Sequence, residues 1–260
     1  LTDAKNYVSS GVLHCYRYDG SEQWHALTGD ITGHLCHVTG EYELHGDTAQ
    51  QDTTTHSPYI TRVYEYLPGM GQFVNVLPKY EEGDDQEAMC RKCEAAIAGN
   101  TGGVVSLGGW GGYITFGFDH AVKNGEGRDL QILGNAYLMT GSEIYGSSEP
   151  GIVMVSRDDN HNGRPDDTWY ELKGCLYADS ETRHDYSRSY TRAGDTLQNP
   201  FHQQPYYPQW LTEDSYKLRG ALLPTQTEKI NGQVVQRILD YGYVDNRPNT
   251  DTLGTSLLAD

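Results

Sequence analysis

From residue 59 onward the chain breaks into short β-prone runs, each closed by glycine, proline or an Asx residue, and only one stretch carries a helical pattern. Runs at 60–67, 72–77, 104–107, 113–118, 130–133, 152–156, 168–172, 184–192, 216–222 and 233–243 are rich in β-branched and aromatic residues and short for helices. Turn-forming residues stand between them, as in Pro68-Gly69-Met70-Gly71 between the first two. The exception is 86–98. Asp84-Asp85 supplies a cap, acids occupy the first turn, Ala95-Ala96-Ile97 follow, and Gly99-Asn100 stops the helix. Many short strands without βαβ alternation predict a mainly β fold, an antiparallel β-sandwich of jelly-roll type with one clear helix near 86–98.

Before that pattern sets in, residues 1–57 are polar, rich in His, Gly and Thr, and only weakly alternating. They read as a lead-in or partial module, followed by a ligand-binding sandwich domain over 58–260. The chain begins at Leu1 without Met or a signal-peptide pattern, so a processed or excised piece is expected. The stretch 194–214 reads as a long loop, a length usually functional or disordered.

Charge narrows the partners. Lys and Arg total 19 against 36 Asp and Glu, a formal charge of −17. That field repels phosphate backbones and anionic lipid, so neither nucleic acid nor a membrane surface is an expected partner. No apolar run reaches bilayer length, and direct membrane insertion is not expected. Twenty tyrosines beside four phenylalanines suit an extracellular β protein with amphipathic aromatic surfaces. Five cysteines leave at least one unpaired. Cys90-Arg91-Lys92-Cys93 lacks the second CxxC of a zinc ribbon, and His14-Cys15 with His34-Leu35-Cys36-His37 matches no zinc-finger spacing. A Cys15–Cys36 disulfide or plain burial is the expected fate of the latter pair.

One segment has the grammar of a cation loop: Asp158-Asp159-Asn160-His161-Asn162-Gly163-Arg164-Pro165-Asp166-Asp167. Hard cations need several oxygens converging on a point, and a short loop supplies them from alternate residues with a glycine where it turns. The expected calcium ligands are the side chains of Asp158, Asn160, Asn162 and Asp166 and the Arg164 carbonyl, with Glu171 or Asp167 completing the shell. An EF-hand would place a bidentate Glu where Trp169 stands, so this is a loop of another kind. The competing reading is a polar hairpin turn built on Asn162-Gly163.

Aromatic residues in glycine- or proline-rich loops are awkward to bury, which marks Trp110, Tyr206, Tyr207 and Trp210; these, with Tyr170 of the 168–172 run, are the expected ligand-binding residues. The alternative for Tyr207 and Trp210 is that they pin the long loop to the sandwich. Asp129, Asn135 and Glu149 are expected to form a structural network at strand ends rather than a second ion site. Lone histidines such as His120 and His202 are expected to be hydrogen-bonded surface residues rather than cobalt ligands. GxSxG and HExxH are absent and no carboxylate spacing singles out a glycosidase pair, so no catalytic residue is expected.

Several blocks carry a family likeness. They are VYEYLPGMGQFVNVLPKYEEG ending at Gly83, GGWGGYITFGFDH ending at His120, Asn124-Gly125-Glu126-Gly127-Arg128-Asp129-Leu130 and Gly134-Asn135-Ala136. Further along come SEPGIVMVS ending at Ser156, Trp169-Tyr170-Glu171-Leu172 and Tyr241-Gly242-Tyr243-Val244-Asp245-Asn246. Together they resemble the C-terminal globular domain of Bacteroidota cell-surface lipoproteins over roughly 58–250. Some members of that group look like accessory proteins of vitamin B12 (cobamide) uptake. The resemblance implies a cell-surface location, tethered to the outer membrane through an upstream segment, and work beside an outer-membrane transporter. It also implies further strands after the Tyr-Gly-Tyr block, so a truncated C-terminus is expected here. The expected function is non-enzymatic capture of a cobamide; the alternative is a calcium-stabilised carbohydrate-binding module of a surface glycan-utilisation system.

Overall fold

The structure is a computed structural model describing residues 56–124, 129–193 and 202–249, together with the backbones of 6–9, 12–18, 24–27 and 257–258. The chain divides into two units, Leu1–Thr55 and His56–Asp260. In the first, β1 (Asn6–Ser9), β2 (Val12–Tyr18) and β3 (Trp24–Leu27) form an antiparallel sheet in that order. The pairing of Cys15 and Cys36 lies outside the described residues.

The second unit begins with β4 (Arg62–Gly69), followed by α1 (Gln86–Ile97), β5 (Gly109–Gly117), β6 (Leu130–Gln131) and β7 (Tyr137–Leu138). It continues with β8 (Tyr145–Ser147), β9 (Met154–Ser156), β10 (Trp169–Glu171), β11 (Arg183–Thr191) and β12 (Ser215–Leu222). Strands β13 (Thr227–Ile230), β14 (Gln233–Arg237) and β15 (Leu257–Leu258) complete it. Every pairing between these strands is antiparallel: β4 with β5, β9 with β10, β11 with β12, β6 with β15, and a sheet in the order β13-β14-β8-β7. The fold is mainly β with a single helix among the described residues, built from several small sheets. None of the described helices is long and apolar enough to cross a membrane.

Helix α1 forms where its cap and first turn predict. The Asp85 carboxylate accepts the Ala88 amide at 2.8 Å, satisfying a donor the helix itself cannot. Its inner face buries Met89, Cys90 and Cys93 against Val63 and Tyr66 of β4, with Val74 and Trp210 completing the core. The polar groups carried inside are satisfied in series. Trp210 Nε1 donates to Gln86 Oε1 at 2.9 Å, Gln86 Nε2 donates to the Tyr66 carbonyl at 2.6 Å, and Tyr66 Oη donates to the Ser106 carbonyl at 2.7 Å. The Trp210 and Tyr66 rings stack at 5.6 Å.

Three expected strands take another form. Residues 72–77 do not pair back on β4, because β5 takes that place. At Gly69 a side chain would strike the Gly109 carbonyl, so only glycine lets the two backbones approach this closely. Instead, 72–77 fold into turns that bury Asn75. Residues 104–107 form no strand, although the Ser106 amide donates to the Leu77 carbonyl and the Leu107 carbonyl accepts the Gly69 amide. The run 233–243 stops at Arg237, since Leu239 is taken by the Asn246 side chain through both its amide (2.7 Å) and its carbonyl (2.8 Å).

Because Trp210 fills the core from a distant loop, Trp210→Ala is expected to lower unfolding stability by about 3–5 kcal/mol, the usual cost of such a core truncation. Urea unfolding followed by far-UV circular dichroism measures it, and a change below about 1 kcal/mol would mean that the indole is dispensable.

Candidate functional site

The chain between β9 and β10 closes on its own side chains. Asp158 accepts the Asn162 amide at Oδ1 (3.0 Å) and the Gly163 amide at Oδ2 (2.9 Å). Asn160 Oδ1 accepts the Asn162 amide at 3.0 Å, and Asn162 Oδ1 accepts the Arg164 amide at 2.7 Å. Alternate Asx residues thus wind the backbone, and Gly163, at φ 69°, takes the left-handed position that lets it turn. Asp166 sits in the concavity, taking Asn162 Nδ2 on both oxygens (3.1 and 3.0 Å) and Asn160 Nδ2 on Oδ1 (3.1 Å). Those side-chain hydrogen bonds, from Asn162 first and then Asn160, hold the Asp166 carboxyl below its ordinary value.

By residue type, though not by a convergence of carboxylates, the loop suits a hard cation. Asp158, Asn160, Asn162, Asp166 and Asp167 bring side-chain oxygens into one short loop, the chemistry calcium takes. Asp167 Oδ1 accepts Asn160 Nδ2 at 3.4 Å, while Asp167 Oδ2 is buried and has no hydrogen-bond partner. A buried carboxylate oxygen without a donor is costly unless a positive charge faces it. The two amides that hold Asp166 present nitrogen to it, while their oxygens accept the Asn162 and Arg164 amides. Glu171 stands differently. Burial raises its carboxyl above the ordinary value, and the charges that oppose this are His184 and Lys173.

The strand that leaves the loop displays aromatic surface. Tyr170 is 62% exposed and Trp169 is 37% exposed. Register places Trp169 with Ser156, and Glu171 with the exposed Met154, on one face of the ribbon, while Tyr170 and Val155 share the other. Trp169 Nε1 donates to the Pro165 carbonyl at 3.3 Å, so the indole is tied to the loop. In the sequence Trp169 stands at the EF-hand Glu position and within the Trp169-Tyr170-Glu171-Leu172 block, neither of which assigns it a role. Its position directly after the acidic loop was the available signal.

The other expected aromatics do not join Tyr170. Trp210 and Tyr207 are buried, at 6% and 3% exposure, and pin the loop to the core. Tyr207 Oη donates to the Glu213 carbonyl at 2.7 Å, with the Arg192 guanidinium 4.4 Å from the ring centre. Neither ring offers a free face to a ligand. Tyr206 is half-buried, and its carbonyl accepts the Gly71 amide at 3.0 Å. Trp110 is half-buried too, with Nε1 donating to the Ala221 carbonyl at 3.3 Å and its ring edge-on to Tyr186 at 4.8 Å.

A second polar group is a structural tie. Asp245 Oδ1 accepts the amides of Asn135 (2.6 Å) and Ala136 (2.8 Å), and the Asp245 carbonyl accepts the Glu149 amide at 2.9 Å. With its side-chain nitrogen turned to Asp245, Asn135 also donates to both carboxylate oxygens, at 2.9 and 3.1 Å. The blocks at 134–136, 148–150 and 241–246 therefore meet, in an arrangement that joins strand ends. Cys90 and Cys93 are free and buried on α1, and burial pushes the Cys93 thiol up to about 12, leaving little thiolate for metal or redox chemistry. His202 is exposed, its ring tilted against Phe73.

No known protein family matches this chain, and no curated protein is significantly similar to it.

Glu171 yields a signed pH prediction. A raised folded-state pKa contributes stability that is complete below the unfolded value of about 4.3 and is lost as pH rises through the folded one. Measured in EDTA, Glu171→Gln is expected to raise the thermal midpoint at about pH 8 and to leave it unchanged at about pH 3.5, where the wild-type carboxyl is protonated in both states. A variant less stable at the higher pH would contradict this.

Proposed function

We propose that this chain is a non-enzymatic capture module of the cell surface, in which a calcium ion in the 158–167 loop orders the aromatic strand β10. The observation that carries the reading is the loop itself, where Asp158, Asn160, Asn162 and Asp166 wind the chain through their side-chain hydrogen bonds and the buried Asp167 Oδ2 has no donor. Calcium neutralises these carboxylates, holds Pro165, and through its carbonyl fixes the Trp169 indole. The ion's role is structural. The small antiparallel sheets serve as parts of a jelly-roll-like sandwich whose loops meet the ligand.

For the ligand, the resemblance of the motif blocks supports a cobamide, passed to an outer-membrane transporter by a protein tethered through an upstream segment. A glycan is the second reading, and one observation favours it. Trp169 and Tyr170 are exposed on the strand that follows the Asp- and Asn-rich loop, and sugars use flat apolar faces together with such polar groups. In either case Tyr170 carries the contact that Tyr207 and Trp210, being buried, do not.

Two measurements test the proposal. Calcium at a hundredfold excess over its Kd is expected to stabilise the chain by about 2.7 kcal/mol relative to EDTA. That raises the thermal midpoint by roughly 5–10 °C in a protein of this size, and Asp158→Asn/Asp166→Asn abolishes the rise. An unchanged midpoint would leave only a hairpin turn. Calorimetric titration of cyanocobalamin in calcium, followed by a glycan array on the same material, separates the ligands. Cobamide heat lost in Tyr170→Ala supports the first reading, and a glycan hit without cobamide heat supports the second. Silence in both, or hydrolysis of a bound glycan, would overturn the capture module.

A further inference from the structure

Away from the acidic loop, three side chains of different chemistry converge where β5 ends. Asp119 and His120 follow that strand directly, and His56 comes from the segment that precedes β4. The Ser57 amide donates to Asp119 Oδ2 at 3.0 Å, which fixes the carboxylate and leaves Oδ1 facing both imidazoles. His120 Nδ1 lies 2.7 Å from Oδ1, and His56 Nδ1 lies 3.8 Å from the same oxygen. The two imidazole rings stack, with centroids 4.7 Å apart and planes 28° from parallel. Phe118 packs edge-on against the His120 ring at 6.1 Å. One ligand atom from each of the three residues lies within 4.8 Å of the others.

We propose that His56, Asp119 and His120 form a binding site for a divalent transition-metal cation of the zinc type. Two imidazole nitrogens and one carboxylate oxygen are the donors that borderline cations prefer, whereas calcium and magnesium take oxygen alone. The site therefore differs in kind from the Asp158 loop. Ligands of a tetrahedral zinc ion stand about 3.3 Å apart, given zinc–ligand bonds of about 2.0–2.1 Å. The observed 3.8 and 2.7 Å separations bracket that figure, so small side-chain movements suffice. The ion replaces the His120–Asp119 hydrogen bond with a bridge between the same two groups. The Ser57 amide on Oδ2 is the outer partner that aims the carboxylate, as such partners do in metal sites. The three side chains remain 30–38% exposed, which leaves an entry path and a fourth position for water or an external ligand.

The chain, stripped with EDTA and free of affinity tags, is titrated with Zn2+ by calorimetry and with Co2+ by visible absorption. The wild-type protein is expected to take up both ions, with Co2+ showing ligand-field bands of nitrogen and oxygen coordination. His56→Ala, His120→Ala and Asp119→Asn are each expected to weaken Zn2+ binding at least tenfold, while His202→Ala binds as the wild type does. Circular dichroism confirms that each variant is folded, and the Co2+ spectrum of the wild-type chain requires no variant. The proposal is overturned if the wild type binds neither ion. It is equally overturned if His56→Ala/His120→Ala retains Zn2+ binding, if only one of the two histidines matters, or if excess Ca2+ displaces the zinc.

Discussion

The fold depends on buried side-chain amides that stand in for backbone partners, in one case across more than a hundred residues. Asn75 is 1% exposed and holds three groups of one loop: Nδ2 donates to the Pro205 carbonyl at 2.6 Å and the Tyr207 carbonyl at 2.9 Å, and Oδ1 accepts the Gln209 amide at 3.0 Å. That clamp brings Trp210 to Gln86 and Tyr66, and so closes the core against α1. Asn246 does the same for Leu239, and its neighbour Asp245 gathers 134–136 and Glu149. In a protein whose sheets are mostly of two strands, such amides do what a long strand ladder does elsewhere. An unsatisfied buried amide costs about 1–3 kcal/mol, so these residues hold their loops firmly.

This division explains what sequence could and could not reveal. Alternation and turn residues located β11, β12 and most of β5, and Asp85 with Gly99-Asn100 bounded the helix to within a residue. Local signals are strong where local chemistry decides. The run 72–77 looked equally strand-like, but its outcome rests on Gly109 and Pro205, which are far along the chain. Strands β7, β8 and β13 were missed because two- to four-residue strands are specified by their partners rather than by their own composition. The aromatics of 206–210 had the same weakness. Proline- and glycine-rich surroundings suggested exposure, and a buried asparagine from another region decided otherwise for Tyr207 and Trp210.

The two candidate ion sites show the same contrast. The Asp158 loop is contiguous, so its spacing could be read directly, and the hydrogen bonds among Asp158, Asn160, Asn162 and Asp166 follow that spacing. His56 and Asp119 are 63 positions apart and meet only once β4 pairs with β5. Both sites lie on an acidic chain of formal charge −17, whose field draws cations from solution and keeps polyanions away. The surface strand β10 gains from this directly, because Trp169 is tied through Pro165 to the loop that a cation would stiffen.

That coupling between loop and aromatic strand is the centre of the account, and terbium luminescence tests it most directly. Tb3+ takes calcium-type oxygen sites, and excitation in the tryptophan band makes it emit strongly when an indole close by transfers energy to it. Excitation of tryptophan in the Tb3+-loaded protein is expected to give sensitised emission that Ca2+ quenches by competition and that falls sharply in Trp169→Phe. Absence of sensitised emission, or emission that survives Trp169→Phe unchanged, would contradict the account.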